Sequence, residues 1–387
     1  MDKRYRDALL SEIDLITYST IIQGTDDAHQ QSNNNRIPLR SIYFGGGTPS
    51  LAPADTIQAI LDRILTHKNG PFIVPNNNNP NSRRGIQDEL EITMEMDPGT
   101  FDKPKLIKLK NAGINRISLG VQSTHNDLLE NLGRTHRFQD VLKSIEMIHE
   151  VYKENINYSI DLISGIPGLS MAKWIETLHI VTTQLNPPPD HISLYDLQVE
   201  KGTVFGQWYE DSILNVDDDN DLDDIGNRNV GGKHDKYTNG KKQSHITTFN
   251  QNESIINRSR LQLPSPEECA FMYRYASGYL KAKGYEHYEV SSYARIMDSP
   301  PSSSERSTSS SSSAPKKTRN GKGRRSRHNQ IYWEICSSWY AIGLGATSSI
   351  RGKQYARPRE MHDYIQWVNR TLTTYTENTT QYISKES

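Results

Sequence analysis

The sequence predicts an α/β fold, a parallel sheet with helices on its outside, built either as an open sheet or as a partial or full barrel. Three observations carry that expectation. Strand-like and helix-like runs alternate through the first half of the chain, as repeated βα units do. Several strand-like runs read as too uniformly apolar for a sheet with one wet face. Polar side chains and glycines recur where those runs end, at the mouth on which the active sites of such sheets converge.

The chain opens with charges, Met1-Asp2-Lys3-Arg4-Tyr5, and passes directly into a helical pattern at Leu9, Leu10, Ile13 and Ile16, without an apolar signal core. Strands are expected at 41–44, 89–96, 116–121, 158–163 and 191–199. Between them, 53–66, 103–112, 138–152 and 171–184 carry apolar residues at helical spacing. A helix at 266–283, an alternating run at 285–293 and a strand-like run at 342–350 follow.

Four stretches break the rhythm: the Asn-rich 25–36 and 76–84, 211–264 with its acidic run, and 299–327, which is Ser-rich and then basic. Each is too polar to offset the entropy of ordering and is expected to be a disordered insert in a surface loop. The expected organisation is a barrel over 1–210, an insert at 211–264, a helix and strand over 265–298, an insert at 299–327, and a C-terminal region at 328–387.

At 387 residues the chain can bury one substantial core, and its 34% hydrophobic content leaves part of it outside that core. A net charge of -1 gives no global preference for nucleic acid or an anionic membrane. The basic cluster Lys316, Lys317, Arg319, Lys322, Arg324, Arg325 and Arg327 has no interleaved aromatics and reads as a solvated linker, so no nucleic-acid partner is expected. No apolar run is long enough to span a bilayer. Cys269 and Cys336 are far apart, which argues against a disulfide framework and fits a reducing compartment, the cytoplasm for the chain as written.

The chemistry-bearing residues start at Gly45-Gly46-Gly47-Thr48-Pro49, a glycine run directly after a strand, where backbone can approach a ligand or simply turn. Glu95 ends a strand in an apolar setting, where a lone carboxylate is costly unless a ligand or hydrogen bonds compensate it. Gln122 ends the next strand, Asp161 interrupts another just before Gly165-Ile166-Pro167, and Arg134 lies between them. Plain structural roles exist for each: Asp161 capping a helix, Gln122 bridging loops, Arg134 pairing with Glu130. Their joint occurrence at strand ends favours one shared mouth.

With these residues in place, the chain resembles radical SAM proteins of the oxygen-independent coproporphyrinogen III oxidase type, and among them the HemW-type heme chaperone branch. The resemblance runs from Tyr5 to Trp367 outside the inserts and rests on four ordered motifs. These are Tyr43-Phe44-Gly45-Gly46-Gly47-Thr48-Pro49-Ser50, the segment from Glu91 to Thr100, Asn115-Arg116-Ile117-Ser118-Leu119-Gly120-Val121-Gln122, and the segment from Ile160 to Gly168. It implies a partial (β/α) radical SAM-type barrel with a small C-terminal α+β extension. It further implies that Gly46, Gly47 and Thr48 contact the methionyl end of S-adenosylmethionine, that Glu95, Gln122 and Asp161 hydrogen-bond around it, and that Arg134 pairs with its carboxylate.

The family also carries a Cys-x3-Cys-x2-Cys loop whose thiolates hold a [4Fe-4S] cluster, and no cysteine precedes Gly45 here. The first strand and its cluster loop are missing together, which reads as a break just before Met1 rather than gradual loss of ligands. No radical cleavage of S-adenosylmethionine is expected from the chain as written. A mitochondrial or plastid location is the alternative if a targeting segment is missing with that block.

A second signal is His328-Asn329-Gln330-Ile331-Tyr332-Trp333. A histidine beside two amphipathic aromatics offers an axial nitrogen and flat apolar contacts, as porphyrin binding requires; a core anchor beside a loop histidine is the plainer reading. The hexapeptide resembles the His-Asn-x-x-Tyr-Trp heme motif of the HemW-type branch, which implies heme held by His328, Asn329, Tyr332 and Trp333 with His328 on the iron. Gly343 and Gly345 allow either approach to a macrocycle or tight packing. The expected function is therefore a heme chaperone passing heme to an acceptor protein, with a coproporphyrinogen oxidase-like enzyme or a cluster-free binding protein as alternatives.

Overall fold

Alternation along five strands decides the architecture. In the computed structural model, which describes residues 2–23, 37–65, 72–73, 90–153, 157–201, 203–209, 262–296, 324–333 and 338–386, these are β1 (Ser41–Phe44), β2 (Glu91–Met96), β3 (Arg116–Gln122), β4 (Asn157–Ser164) and β5 (His191–Asp196). They pair in sequence order and all parallel, and the antiparallel hairpin β6 (Tyr285–Glu289) and β7 (Ser292–Arg295) continues the sheet as β1-β2-β3-β4-β5-β7-β6. Among the described residues its two ends do not pair, so the sheet is open.

The helix α1 (Lys3–Gln23) precedes the sheet, and between its strands lie α2 (Ala54–Leu65), α3 (Lys103–Ala112), α4 (Asn126–Asn131), α5 (Phe138–Tyr152), α6 (Met171–His179) and α7 (Pro266–Ala282). Local chemistry sets their ends. Asp102 caps α3 by accepting from Lys105 N–H at 2.9 Å, and Gly113 closes it at φ 110°, where a Cβ would be strained. Ser265 and Glu268 form a reciprocal capping box on α7, with Pro266 in its first turn.

Ile117, Leu119 and Val121 of β3, and Ile160 and Leu162 of β4, are fully buried in the same core as Leu106, Leu109, Ile148 and Trp174 of the helices. Fully burying one such side chain contributes about 1.5–3 kcal/mol. The residues between them, Arg116, Ser118 and Gln122 on β3 and Ser159 on β4, are buried too, yet polar. This corrects the reading of uniformly apolar strands: the outer face of the sheet is apolar and buried, while its inner face is polar and only partly buried.

Several bounds also move. The strand expected at 191–199 ends at Asp196, the helix expected through 184 changes to a π-helical turn at Ile180–Gln184, and the run at 285–293 is a hairpin. Only Thr347–Ile350 of the run at 342–350 is a strand, β8, paired with β9 (Lys353–Ala356). The expected inserts at 25–36 and 76–84 lie outside the described residues, as do 211–261 of the insert expected at 211–264, 299–323 of the one expected at 299–327, and Cys336. Of the basic stretch, Arg324 pairs with Asp190 at 2.6 Å and Arg325 with Glu286 at 2.5 Å, so these two arginines are anchors rather than solvated linker.

A smaller second core joins the two ends of the described chain. Ala8 and Leu9 of α1 pack with Tyr364 and Val368 of α9 (Met361–Glu386). Gly343, at φ 110°, lies so close to α1 that a Cβ would meet Tyr5 Oη at 3.0 Å. Of the two roles open to it, packing is the one observed. Among the described residues no helix is long and apolar enough to cross a membrane.

Candidate functional site

The site begins where β1 runs into its glycines. A Cβ on Gly45 would sit 2.6 Å from Tyr43 Cε1 and 3.1 Å from Glu95 Oε1, so only glycine lets the chain fold back over these side chains. Gly46 and Gly47 follow at φ +84° and +53°, and the Gly46 N–H donates to Glu95 Oε2 at 3.0 Å. Glu95 also accepts from Tyr43 Oη at 2.7 Å, so the carboxylate is fixed by two neutral donors.

Gly47, Thr48, Glu95, Gln122, Arg134 and Asp161 all line one cleft, with a cavity volume of about 280 Å³. Seven residues proposed from sequence thus come together, Gly46 through its bond to Glu95 and the other six directly. Gln122 reaches the cleft from a bulge: the β3–β4 register shifts between Leu119 and Gln122, and Gln122 takes φ +63°. A positive φ in a non-glycine residue costs energy and tends to occur at functional positions.

Asp97 organises the other wall and was not singled out from sequence. It accepts from Thr48 Oγ1 at 3.2 Å and faces Arg134 Nη1 at 3.7 Å, while its own N–H donates to Ser50 Oγ at 3.1 Å. Glu130 pairs instead with Arg137, at 3.9 Å. Asp161 caps no helix; it accepts from Ser118 Oγ at 3.1 and 3.2 Å. Burial pushes its carboxyl up to about 6, hydrogen bonds from Ser193 and Ser118 oppose that rise, and the nearby Glu95 charge adds to it.

His328 is not in a polar loop. It lies on the short helix α8 (Arg327–Trp333), between β7 and β8, partly buried and stacked on Tyr43 with ring centroids 4.4 Å apart. Its Nδ1 lies 3.3 Å from Ser41 Oγ, and among the described residues its Nε2 has no hydrogen-bond partner. Burial lowers its pKa, the Glu91 charge works against that and Arg116 with it, so the ring is neutral at neutral pH. Glu91 holds the start of α8, accepting from Arg327 N–H and His328 N–H at 3.0 Å each and from Ser326 Oγ at 3.4 Å. Asn329 Nδ2 donates to Ser292 Oγ at 3.2 Å, tying α8 to β7, while Tyr332 and Trp333 remain 40% and 65% exposed.

Ser41, Tyr43, Glu91 and Ser118 therefore join the candidate set. Their signal in the sequence was the period of two: Ser41 and Tyr43, Glu91 and Glu95, and Ser118 and Gln122 fall on one face of their strands. Tyr43 is the physical link, stacked on His328 at its ring and bonded to the cleft through its hydroxyl.

The cleft has the donors and acceptors for an amino-acid cofactor: a partly exposed guanidinium matched to a carboxylate, two carboxylates for an ammonium or hydroxyls, and glycines admitting close approach. An iron–sulfur cluster is a different matter. Among the described residues no group of three or more His, Cys, Asp or Glu could hold a metal ion. Cys269 lies apart, its thiol pushed up to about 11 by burial and by the Asp196 charge, and a protonated thiol is a poor iron ligand. The described residues do not fit the cluster.

Residues 27–181 match the family model described as the radical SAM superfamily. The chain is 33% identical over 336 residues to heme chaperone HemW of Synechocystis sp., covering 87% of this chain and 58% of that protein. It is 27% identical over 327 residues to heme chaperone HemW of Bacillus subtilis, covering 84% and 62%. With the mitochondrial radical S-adenosyl methionine domain-containing protein 1 of Bos taurus it shares 26% identity over 308 residues, 80% of this chain and 48% of that one. Among solved structures, coproporphyrinogen III oxidase (HemN) from Escherichia coli aligns at a TM-score of 0.54 and 16% identity, over 96% of this chain and 64% of that one. That likeness shows the fold, a partial (β/α) barrel. The chain spans less than two thirds of the length of each of these relatives.

Proposed function

We propose that this chain, whose residues 27–181 match the radical SAM superfamily, carries heme on His328 for transfer to an acceptor protein and binds S-adenosylmethionine in the cleft. The observation that supports heme carriage best is the setting of His328. Ser41 engages Nδ1 and Tyr43 stacks on the ring, while Nε2 has no hydrogen-bond partner among the described residues. A histidine whose one nitrogen is held by a neighbour is oriented to ligate iron with the other. Tyr332 and Trp333 add exposed aromatic surface of the kind a flat apolar cargo covers.

In the cleft, S-adenosylmethionine would set its carboxylate against Arg134 and its ammonium and ribose hydroxyls among Glu95, Gln122 and Asp161. Thr48, held by Asp97, and the left-handed Gly46 and Gly47 bring backbone close to the methionyl end. The radical SAM family implies this cofactor. A coproporphyrinogen oxidase-like activity is the weaker reading, because it draws on fold alone whereas cargo binding draws also on the setting of His328.

The relatives named heme chaperones support transfer to a protein acceptor, whose identity is open, and the relative named as mitochondrial supports a mitochondrial location beside a cytoplasmic one. The test is hemin titration of the purified chain beside His328→Ala. We expect at least a tenfold loss of affinity and a shifted Soret band in the variant; an unchanged spectrum and affinity would remove His328 as the ligand.

A further inference from the structure

Arg116 opens β3 on the inner face, two residues before Ser118 and four before Gly120, both of which line the cleft. It is 3% exposed, and among the described residues it makes no side-chain hydrogen bond and no ion pair, its Nε being buried without a partner. Charges are rarely buried unless paired, because desolvating a guanidinium is costly and needs a counter-charge or hydrogen bonds in return.

Among the described residues none of the inner carboxylates forms an ion pair with it. Glu91 is occupied by backbone N–H groups and Ser326, Glu95 by Tyr43 and Gly46, and Asp161 by Ser118. The Arg116 charge is nonetheless felt at His328, Tyr43, Asp161 and His191. It is a buried forked cation on the polar inner face that makes no ion pair among the described residues.

We propose that Arg116 is a binding residue held ready for a carboxylate that a ligand brings into the barrel interior. The planar guanidinium fork matches a carboxylate bidentately, and a ligand that supplies the missing charge recovers the desolvation cost already incurred in folding. Two ligands of the proposed function carry that chemistry, the tetrapyrrole through its side-chain carboxylates and S-adenosylmethionine through its own, which in that case would sit on Arg116 in place of Arg134. The inference rests on that function for the identity of the ligand.

The experiment uses the full chain, wild type, Arg116→Met and Arg116→Lys, titrated with hemin, with hemin dimethyl ester, which has no free carboxylate, and with S-adenosylmethionine. If the tetrapyrrole supplies the group, wild type binds hemin about tenfold to a hundredfold tighter than the ester, Arg116→Met abolishes the difference and Arg116→Lys keeps part of it. If S-adenosylmethionine supplies it, hemin and ester bind alike and Arg116→Met weakens S-adenosylmethionine by the same factor. In either case the unliganded Arg116→Met chain unfolds at the same or a higher temperature than wild type, because a buried unpaired charge has been removed.

Equal hemin and ester affinities together with unchanged S-adenosylmethionine binding in Arg116→Met overturn the proposal. The wild-type ester comparison is informative even if a variant fails to fold. Failure of the heme reading itself is separately visible, as unchanged hemin binding in His328→Ala, and leaves the S-adenosylmethionine titration to decide on Arg116.

Discussion

At Asp161 two opposing forces meet in one side chain. Burial raises its pKa from 3.8 to about 6, against hydrogen bonds from Ser193 and Ser118 that favour the carboxylate. A carboxyl whose folded pKa is raised makes the native state bind more protons than the unfolded one between those two values. Stability from this group is therefore present below 3.8 and lost as pH rises through about 6. A ligand that donates to the carboxylate pulls the other way and favours the ionised form. We expect S-adenosylmethionine affinity to fall as pH drops through about 6 in wild type, and to be weaker but flat over that range in Asp161→Asn. Isothermal titration at several pH values checks this, and a wild-type profile as flat as the variant's would exclude Asp161 from the binding wall.

At the scale of elements, two features hold the candidate sites in place. β3 ends in its bulge because Gly120 leaves room: a Cβ there would sit 2.7 Å from Asp97 Oδ1 and 3.0 Å from Gln122 Nε2. Both are ends of flexible side chains, so Gly120→Ala should fold with its melting temperature nearly unchanged. It displaces Asp97 from Thr48 and Arg134, however, and we expect at least tenfold weaker S-adenosylmethionine binding by titration. The other feature is the cap on α8. A seven-residue helix is marginal alone, and Glu91 satisfies two N–H groups and a hydroxyl at its start. Glu91→Ala should destabilise α8 by about 0.5–2 kcal/mol, seen as faster hydrogen exchange at Arg327 and His328 and weaker hemin binding. Unaltered exchange there would mean that packing, not the cap, holds the helix.

These elements also show what a sequence can disclose. The glycine loop, Glu95, Gln122, Arg134 and Asp161 were legible because each stands in a short local pattern at a strand end, and parallel strands bring such ends together. Asp97, Ser41 and Glu91 were not, because their roles depend on partners 49, 287 and 237 residues away: Thr48, then His328 Nδ1, then His328 N–H. His328 was legible as a candidate ligand, but its burial on a helix against Tyr43 was not, since the preceding run of Ser and Arg reads as linker. The apolar halves of the strands drew attention first, and the polar inner face emerged only once the register fixed which residues shared a side.

Across the whole molecule, the segment that follows the heme motif is tied back to the first helix through one buried acid. Glu12 is 1% exposed and accepts from Arg357 Nε at 2.7 Å, Tyr364 Oη at 2.6 Å and Gly343 N–H at 2.9 Å. Arg357 in turn donates to Ser348 Oγ and lies 5.7 Å from the Trp367 ring centre, so α1, the β8–β9 hairpin and α9 share one polar node inside an apolar cluster. Removing one member of a buried pair leaves its partner charged and unpaired, which costs about 3–5 kcal/mol, whereas replacing both with apolar groups can be neutral. Arg357→Met should therefore unfold at distinctly lower urea concentration than wild type, followed by tryptophan fluorescence, and Glu12→Leu with Arg357→Met should recover most of the loss. If the double variant is no more stable than Arg357→Met alone, the node acts through hydrogen bonds to Tyr364 and Gly343 more than through charge. Because the cleft is lined by residues 47–195 and the node lies outside it, S-adenosylmethionine affinity should be the same in all three folded proteins.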